Sequence, residues 1–533
     1  MNQYSNLPPL IQSLLDPERY DHTVLQCQLI QTHISWVILT GDYAYKIKKP
    51  VNLGFLDFST LEKRRFYCEE ELRLNRRLAP AIYLDVINIS GTPEKPSLNG
   101  DGDTIEYAVK MIQFPQEAQL DRALARGDLQ FDKIDAIASM ISIFHQQIEI
   151  AKKNTPYGNP EQVMQPVTEN FMQIREQHKE CKHPELLTDL ENWFESVYTE
   201  LVPIFLKRKS DGFIRECHGD MHLRNLAWYN GKPLAFDCLE FNENLRWIDV
   251  ISEVAFLVMD LHDHKQEHLA HRFINAYLEQ CGDYAGIQVL RFYLAYRAMV
   301  RAKVNAIRAG QTGIEQNEVK DAENDYYEYL NLAKSYTRRT LPQLIITRGL
   351  SASGKTTETQ PLLELLGAIR IRSDVERKRL FNVNPNEESH AGIDGGIYSA
   401  EATEQTYARL VEIAGLIIDA GYTVIIDAAN LKQTQRQLFQ RLASQKQVSY
   451  IILEFIATPD TLRKRILERK HDASDANLEV LEHQLEHWLP LPENEHPFAI
   501  SIDTEQPYDV LELTKKIRST ACMQTETHSV HTE

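Results

Sequence analysis

Short apolar runs, rich in β-branched and aromatic residues, make up much of the first 115 residues, with turn residues between them. Four of these runs have the length and composition of strands, namely TVLQCQLIQ, HISWVILT, YAYKIKK and IEYAVKMIQF. Between the third and the fourth, FSTLEKRRFYCEEELRLNRRLA predicts one long helix, which Ser59 or Thr60 caps. The pattern therefore predicts a β-rich segment with one long helix in it.

From about residue 118 to residue 335 the pattern is mostly that of helices, with a short β interruption at FIRECHGD, NLAWYN and KPLAFDCLEF. The run RRTLPQ, residues 338–343, is the predicted domain boundary. After it, helical stretches separate the strand-like runs QLIIT, AIRIRS, TVIIDA, SYIILEFIA and FAISID. Such alternation is typical of a parallel sheet with crossover helices.

These patterns predict two domains and a tail. An α+β domain spans residues 1–337, an α/β domain with a parallel sheet spans residues 341–515, and residues 519–533 form a disordered tail. A chain of 533 residues is too long for one compact core, which agrees with two domains. Apolar residues make up 43% of the chain and charged residues 25%, as is ordinary for a soluble globular protein.

Composition also indicates the cellular compartment and the class of partner molecule. No run approaches the length of an apolar membrane span, and the N-terminus lacks the features of a signal peptide. Seven cysteines without a CxxC pair favour a reducing cytoplasm over disulfides or a zinc site. The net charge of −18 opposes general binding to nucleic acid, so small-molecule substrates are the predicted partners. The oligomeric state is not indicated.

The segment GLSASGKT matches the phosphate-binding pattern G-x-x-x-x-G-K-[ST], and it lies between a strand-like run and a helical one. In that setting the loop amides and the helix N-terminus face the phosphates of ATP. Lys355 would neutralise the β- and γ-phosphate oxygens, and the Thr356 hydroxyl would ligate Mg²⁺. The predicted nucleotide-binding residues are Gly349, Ser351, Ala352, Ser353, Gly354, Lys355, Thr356 and Thr357.

Two carboxylates and two arginines complete this second predicted site. Asp427 ends a strand, where a metal-orienting carboxylate usually sits, although a turn residue is the alternative. Asp374 follows the presumed second strand and would accept the proton of a substrate hydroxyl, with a helix N-cap as the alternative. Arg465 and Arg469 lie four apart on one helix face and would stabilise the transferring phosphoryl group, unless they form a solvated basic face.

Residues 341–515 resemble the small P-loop kinases related to gluconate kinases, zeta toxins and polynucleotide kinases. The resemblance rests on GLSASGKTT, SDVERKRL, VIIDA and the arginine-bearing helix DTLRKRILERKHD. It implies that Asp374 is the substrate-side carboxylate and that Arg465 and Arg469 are lid arginines. It leaves the acceptor of the phosphoryl group open.

A different constellation lies in HGDMHLRN, residues 218–225. Phosphoryl transfer needs a carboxylate directed at the acceptor hydroxyl and oxygen ligands for Mg²⁺. Asp220 fits the first role, and Asn225 and Asp237, which a predicted strand pair brings together, fit the second. His218 is predicted to brace the loop by hydrogen bonding. An Asp-rich turn without chemistry is the alternative, which the spacing of Asp237 disfavours.

The segment from HGDMHLRN to the later R-W-x-D, residues 246–249, looks like the catalytic segment of the aminoglycoside-phosphotransferase-like, protein-kinase-like fold. The match covers roughly residues 25–335. It implies a two-lobed α+β domain that binds ATP between a β-rich lobe and a helical lobe, with residues 111–114 touching the adenine. It also implies that the later motif, R-W-x-D, braces the catalytic loop.

By the same resemblance, Lys46 takes the A-x-K position of the third strand and pairs with the phosphates, with Lys48 as the rival. Glu71 on the following helix is its predicted ion-pair partner, and Glu70 is the alternative. The sequence departs from the family in lacking a G-x-G-x-x-G loop before Lys46. In its place, THISWVILTGD predicts a hairpin over the phosphates with Gly41 at a turn.

The sequence thus predicts a bifunctional ATP- and Mg²⁺-dependent phosphotransferase, with each domain phosphorylating a hydroxyl of a small molecule. Two alternatives remain. One is a nucleotide-binding regulatory protein in which only the P-loop domain is active, and the other is a polynucleotide 5′-kinase activity in that domain. The histidine-rich segment LHDHKQEHLAHRF is predicted to be a surface helix.

Overall fold

The computed structural model describes residues 7–54, 56–177, 183–311, 315–383, 395–468 and 476–529. Contacts divide the chain into two compact units. The first unit comprises residues 1–166 and 205–260, and the second comprises residues 167–204 and 261–533. The domain boundary predicted near residues 338–343 lies inside the second unit. No helix among the described residues is long and apolar enough to cross a membrane.

The first unit begins with a six-stranded antiparallel sheet. Its strands are β1 (Gln28–Gln31), β2 (Ser35–Leu39), β3 (Tyr43–Lys48), β4 (Tyr83–Thr92), β5 (Lys95–Leu98) and β6 (Thr104–Ile112). They are ordered β1-β2-β3-β6-β4-β5. The predicted strands are confirmed in β1, β2, β3 and β6, whereas β4 and β5 were missed. Polar residues interleave the apolar ones in β4, so its sequence, YLDVINISGT, lacks a continuous apolar run.

The helices up to residue 263 are α1 (Pro9–Leu14), α2 (Leu61–Asn75), α3 (Leu120–Ala125), α4 (Phe131–Gln147), α5 (Pro160–Gln177), α6 (Pro184–Ser210) and α7 (Val250–Asp263). Helix α2 is the predicted long helix, and the Thr60 side chain caps it by accepting the Lys63 N–H. It buries Cys68, Glu71 and Leu74. A fully buried glutamate requires a cationic partner, which β3 provides.

Four short strands surround the predicted catalytic loop, namely β7 (Ile214–Glu216), β8 (Leu226–Tyr229), β9 (Lys232–Ala235) and β10 (Trp247–Asp249). Strands β8 and β9 form a hairpin whose turn residues, Asn230 and Gly231, have φ of 51° and 74°. Positive φ at both positions is the requirement of a two-residue type I′ turn. Because Asn225 precedes β8 and Asp237 follows β9, the hairpin brings them to its open end.

The second unit contains a five-stranded sheet built from β11 (Gln343–Arg348), β12 (Ile369–Arg372), β13 (Val424–Asp427), β14 (Ser449–Ile456) and β15 (Ala499–Asp503). All pairs are parallel, and the order is β12-β13-β11-β14-β15. The predicted parallel sheet is confirmed. Strand β11 is the central strand of the sheet and is buried along its whole length. It carries the P-loop at its carboxyl end.

The remaining helices are α8 (Glu267–Cys281), α9 (Ile287–Ala309), α10 (Gln316–Thr337), α11 (Lys355–Leu366), α12 (Ser373–Leu380), α13 (Ala400–Asp419), α14 (Gln433–Lys446), α15 (Pro459–Glu468), α16 (Leu478–Glu486) and α17 (Val510–Ser529). Apolar residues of α11 and α17 join one core with the sheet. Helix α17 continues into the segment predicted as a disordered tail. Of the predicted tail, residues 519–529 belong to α17, and residues 530–533 lie outside the described residues.

Two histidines predicted on a surface helix are largely buried. His262 Nδ1 lies 2.8 Å from the Tyr336 hydroxyl, and burial lowers the pKa of His262 to about 3. His271 Nδ1 lies 2.7 Å from the carbonyl oxygen of Glu364 in α11. The surface prediction holds for His264 and His268, which are exposed. It was wrong for His262, which contacts α10, and for His271, because α8 packs against α11.

Two candidate phosphotransfer sites

Lys46, on β3, lies between two carboxylates of the first unit. Its Nζ is 2.8 Å from Glu71 Oε1 and 2.5 Å from Asp237 Oδ1. Burial alone would lower the pKa of Lys46, but the carboxylates of Asp237, Glu71 and Glu240 raise it well above its ordinary value. The lysine therefore stays charged, and it joins the helix that carries Glu71 to the loop that carries Asp237.

Lys48, the rival predicted for Lys46, binds the other oxygen of the same Glu71 carboxylate, with its Nζ 2.8 Å from Oε2. It is also paired with Glu240 and is 1% exposed. Burial would raise the pKa of Glu71, but the two ammonium groups lower it to about 2. Burial raises the pKa of Glu240, with Lys48 opposing the shift. Glu240 was not predicted from the sequence, where only its position three residues after Asp237 indicates that it lies near this site.

We expect Lys48→Met to lower the free energy of unfolding by about 3–5 kcal/mol, as is typical when one partner of a buried ion pair is removed. The methionine fills most of the volume but leaves the buried Glu240 carboxylate without its ammonium partner. Urea unfolding of the full chain measures the loss. Lys95→Met, at an exposed position of β5, is the matched control. Equal losses for the two variants would contradict the expectation, and adding Glu240→Gln to Lys48→Met should restore part of the stability.

Asp220 and Asn225 contact each other inside the HGDMHLRN loop. Asn225 Nδ2 donates to Asp220 Oδ2 at 2.9 Å and to the Asp220 carbonyl oxygen at 3.0 Å. The Asp220 side chain is 32% exposed, whereas Asn225 is buried. The Phe236 N–H donates to the Asn225 carbonyl oxygen at 3.0 Å, which fixes the start of the loop that carries Asp237. The three predicted residues are therefore held in one region of the first unit.

His218 makes the hydrogen bonds of a neutral imidazole. Its Nε2 lies 2.9 Å from the Phe236 carbonyl oxygen, and its Nδ1 accepts the Asp220 N–H at 3.3 Å. Burial lowers the pKa of His218, which keeps the ring uncharged at neutral pH. These contacts agree with the predicted role of His218 as a loop brace.

Gly219 adopts a conformation that a larger residue would not tolerate. Its φ is 90°, and a Cβ atom at this position would lie 2.7 Å from the Leu245 carbonyl oxygen. The Gly219 N–H donates at 2.6 Å to Glu253 Oε1 on α7, and Glu253 Oε2 lies 2.8 Å from His145 Nε2. Glu253 was not predicted from the sequence, because its contact with the loop depends on how α7 packs.

The R-W-x-D motif is anchored through its two charged residues. The Arg246 guanidinium donates to the Glu240 carbonyl oxygen at 3.0 Å, so it supports the loop that follows Asp237. Asp249 accepts two bonds from Arg208, at 2.6 and 2.8 Å. Glu70, the alternative partner predicted for Lys46, pairs with Arg73 at 2.8 Å instead.

Gly41 lies at the β2–β3 turn, with φ of 98°. Its N–H donates to Gln113 Oε1 at 2.9 Å, and the Gln113 N–H donates to the Asp42 carbonyl oxygen at 3.0 Å. The turn is therefore tied to residues 111–114, the segment predicted to touch adenine. The β1–β2 turn lies at the end of β2 that is remote from Gly41, next to Lys48 at the end of β3.

In the second unit, the predicted P-loop joins the end of β11 to the start of α11. Ala352 and Gly354 both have left-handed backbone angles, with φ of 63° and 92°. At Ala352 this conformation is strained, as is common in segments that surround a ligand. Ser353 is buried within the loop, and Thr357 is exposed in the first turn of α11. The strand, loop and helix N-terminus form the arrangement that binds phosphate.

Thr356 and Asp427 contact each other at the carboxyl edge of the sheet. The Thr356 hydroxyl donates to Asp427 Oδ2 at 2.7 Å, and Asp427 is buried at the end of β13. Asp374 is the second residue of α12 and does not cap it, because the N-cap position is Arg372. Burial raises the pKa of Asp374 and the nearby Asp427 carboxylate adds to the shift, while Arg372 opposes it. A raised pKa makes the Asp374 carboxylate a stronger base.

Arg465, on α15, reaches the P-loop. Its guanidinium donates to the Thr504 hydroxyl and carbonyl oxygens, each at 2.9 Å, and lies 3.4 Å from the Ala352 carbonyl oxygen. The contact with the loop agrees with a position near the transferring phosphoryl group. The predicted partner of this residue, Arg469, lies outside the described residues.

Lys355 and the Ser351 N–H both donate hydrogen bonds to other groups of the protein. Lys355 Nζ donates to the carbonyl oxygens of Gly349 at 3.0 Å and Leu350 at 2.7 Å. The Ser351 N–H, which a bound phosphate would use, donates to Gln484 Oε1 of α16 at 2.8 Å. Gln484 was not found by sequence analysis, because no motif marks it. Phosphate binding at this amide has to replace the Gln484 bond.

We expect Gln484→Ala to tighten ADP binding at the P-loop by about two- to tenfold, because a hydrogen bond of about 0.5–1.5 kcal/mol no longer competes with the phosphate. Titration of a fluorescent ADP analogue into the full chain measures the change. Gln433→Ala, at an exposed position of α14, is the matched control and should leave the affinity unchanged. Weaker binding in Gln484→Ala would mean that the side chain holds the nucleotide instead.

The second unit has the strand, loop and helix of a P-loop on a parallel sheet, and the first unit joins a six-stranded antiparallel sheet to a mostly helical segment. The family model for an AAA domain matches residues 344–491, which hold the P-loop, Asp374, Asp427 and Arg465. Over 450 residues the chain is 30% identical to the uncharacterized protein Rv2004c of Mycobacterium tuberculosis, spanning 84% of this chain and 88% of that protein. The same figures hold for the uncharacterized protein Mb2027c of Mycobacterium bovis. The chain belongs to the family of these mycobacterial proteins.

Three solved structures illustrate what parts of the chain are similar to. Amicoumacin kinase hAmiN is 14% identical, with a TM-score of 0.37, over 62% of this chain and 94% of that one. An ethanolamine kinase of Plasmodium vivax is 11% identical, with a TM-score of 0.37, over 58% and 84%. A gluconokinase of Sinorhizobium meliloti is 19% identical, with a TM-score of 0.26, over 37% and 100%.

Proposed function

We propose that the chain is a bifunctional phosphotransferase, in which each site moves the γ-phosphoryl group of ATP to a hydroxyl of a small molecule. The observation that supports this best is that both units contain the same set of chemical groups, namely a carboxylate that can act as a base, a lysine, and oxygen ligands for a metal ion. In the first unit, Asp220 lies beside Asn225, and Lys46 contacts Asp237. In the second, Lys355 lies on the P-loop and Thr356 contacts Asp427, with Asp374 following the adjacent strand.

The same reaction suits both sites. The acceptor oxygen forms a bond to the γ-phosphorus while the bond from that phosphorus to the β–γ bridging oxygen breaks, and ADP leaves with the electron pair. The proton of the acceptor hydroxyl passes to Asp220 in the first site and to Asp374 in the second. Lys46 and Lys355 offset the negative charge of the phosphates, so positioning and electrostatic stabilisation supply most of the rate enhancement.

The donor atoms suit Mg²⁺ in both sites, because they are the hard oxygen ligands that this ion prefers. Asn225 and Asp237 would hold it in the first site, and Thr356 and Asp427 in the second. When bound, the ion neutralises charge on the phosphate oxygens. In the first site, Lys46 would then exchange its contact with Asp237 for one with a phosphate.

A small-molecule acceptor is part of the proposal. The net charge of −18 makes attraction of a nucleic-acid backbone weak, which opposes a polynucleotide acceptor. A 5′-hydroxyl oligonucleotide nevertheless belongs among the compounds tested, because the P-loop resemblance includes polynucleotide kinases. Phosphorylation of that oligonucleotide alone would support the alternative activity.

A screen of hydroxyl-bearing metabolites with the full chain, ATP and Mg²⁺ tests the proposal. We expect mass spectrometry to detect at least two phosphomonoesters. One should be absent with Asp220→Asn, and another should be absent with Lys355→Ala. A double variant that forms as much of each product as the unaltered chain would show the proposal to be wrong. If Lys355→Ala removes every product and Asp220→Asn removes none, only the P-loop site is active and the first unit binds nucleotide without turnover.

A further inference from the structure

Helix α8 ends about 60 residues before the predicted P-loop domain begins. It forms hydrogen bonds with β12, an edge strand of the parallel sheet in that domain. The Asn275 side chain accepts the Arg370 N–H at 2.8 Å and donates to the Ala368 carbonyl oxygen at 2.9 Å. Asn275 is buried. Because β12 is at the edge of the sheet, these backbone groups face away from β13, and the asparagine amide serves as their partner.

Glu279 lies one turn further along the same helix and binds the other end of β12. Its Oε1 accepts a bond from the Arg372 guanidinium at 3.0 Å. Its carbonyl oxygen accepts a bond from Arg379 of α12 at 2.5 Å. Asp374, the proposed base, lies between Arg372 and Arg379 in the chain. Helix α8 therefore holds the segment that carries Asp374 on both sides.

The contacts continue from β12 to the P-loop helix. The Arg370 guanidinium donates to the Thr356 carbonyl oxygen at 2.9 Å and to the Thr359 hydroxyl at 3.2 Å. At the far end of α11, Glu364 accepts a bond from Arg272 of α8 at 2.9 Å, in addition to the bond from His271 to its carbonyl oxygen. The same helix thus contacts the element that carries Thr356 and the element that carries Asp374.

We propose that α8 forms part of the P-loop active site and that Asn275 and Glu279 are positioning residues for the segment that carries Asp374. This rests on the proposed phosphotransfer at the P-loop. Neither residue touches the reacting groups. Their effect passes through Arg370 and Arg372, which fix β12 and the start of α12 relative to Thr356. A general base has to lie within hydrogen-bond reach of the acceptor hydroxyl, so a small displacement of this segment lowers the rate.

The first experiment measures the contact itself and needs no substrate. Hydrogen exchange of the full chain is followed in peptides that cover residues 368–372, with residues 343–348 of β11 as the internal reference. We expect Asn275→Ala to speed exchange in the first peptide by about tenfold or more and to leave the reference unchanged. Unchanged exchange at residues 368–372 would overturn the proposal, and so would an equal rise in both peptides, because that would indicate general loosening.

The second experiment separates positioning from nucleotide binding. In the full chain carrying Asp220→Asn, ADP formation from ATP is measured with water as the acceptor, alongside binding of a fluorescent ADP analogue. We expect Glu279→Ala to lower turnover by about tenfold or more while ADP affinity changes less than about twofold. Glu279→Gln retains one acceptor for Arg372 and should give an intermediate rate. Glu267→Gln, at an exposed position of the same helix, should match the reference.

Parallel losses of turnover and ADP affinity would overturn the positioning role. So would a Glu279→Ala chain that is as active as the Glu267→Gln chain. If the reference chain forms no more ADP than a chain that also carries Lys355→Ala, both with water and with the acceptors of the metabolite screen, the proposed function of the P-loop site has failed. In that case the hydrogen-exchange result still decides whether Asn275 holds β12 in place.

Discussion

Replacing Asp220 by Asn is expected to lower turnover at the first site by about a thousandfold, within the range that a general base contributes. The amide keeps the size of the side chain and its contact with Asn225, but it no longer takes up the acceptor proton. In the proposed mechanism Lys46, Asn225 and Asp237 hold ATP and its metal ion, so the KM for ATP should change less than about threefold. Steady-state kinetics with the acceptor assigned to this site measures both parameters.

Asp211→Asn is the matched control, because Asp211 is exposed and paired with Lys207 at 2.9 Å. It should leave turnover unchanged. An Asp220→Asn chain that keeps more than about a tenth of its turnover would rule out the carboxylate as the base. A large rise in the KM for ATP, with turnover maintained, would instead assign Asp220 to nucleotide binding.

Lys355→Ala should lower turnover at the second site by about a hundredfold or more, the cost that is typical of removing one preorganised charge-stabilising group. The ammonium group lies on the P-loop, where it donates to the carbonyl oxygens of Gly349 and Leu350. Since these carbonyls persist in the variant, we expect the loop to keep its fold. Affinity for ATP should fall by about tenfold, because a charge-assisted bond to phosphate is lost.

The measurement pairs ADP formation with calorimetric titration of ATP into the full chain carrying Asp220→Asn, fitted to two sites because the first site of this reference still binds ATP. Lys516→Ala, at an exposed position of α17, is the control for loss of a lysine. Unaltered affinity and turnover in Lys355→Ala would show that this loop does not bind the transferred phosphate. An unchanged melting temperature of the variant establishes that the loss is not one of folding.

The chemical groups of both sites were predictable because short, local chain geometry sets their spacing. GLSASGKT specifies a strand, a loop and a helix N-terminus within a few residues, and the hairpin that follows Asn225 needs only the Asn-Gly turn. The parallel sheet followed from the alternation of apolar strands and helices. In each case, the information lies in neighbouring residues.

The residues that the sequence did not indicate all act across long separations. Glu240 is 192 residues from Lys48, Gln484 is 133 residues from Ser351, and Asn275 is 95 residues from Arg370. Their side chains are ordinary for helices and loops, and only tertiary packing gives them partners. The sequence presented Lys46 and Lys48 as alternative partners of Glu71. In the folded chain Glu71 binds both lysines, with one carboxylate oxygen to each.

The pairing of Asn275 with β12 also bears on how the chain can be divided. A fragment that begins at residue 341 leaves the edge of its sheet without this polar cover, and exposed edges are where sheets associate with other chains. Such a fragment should aggregate, whereas one that begins at residue 261 keeps the cover. The break in composition near residue 340 is therefore a poor place to cut the chain in order to obtain the P-loop domain alone. This holds for expression of a fragment, for limited proteolysis and for fusion to another domain.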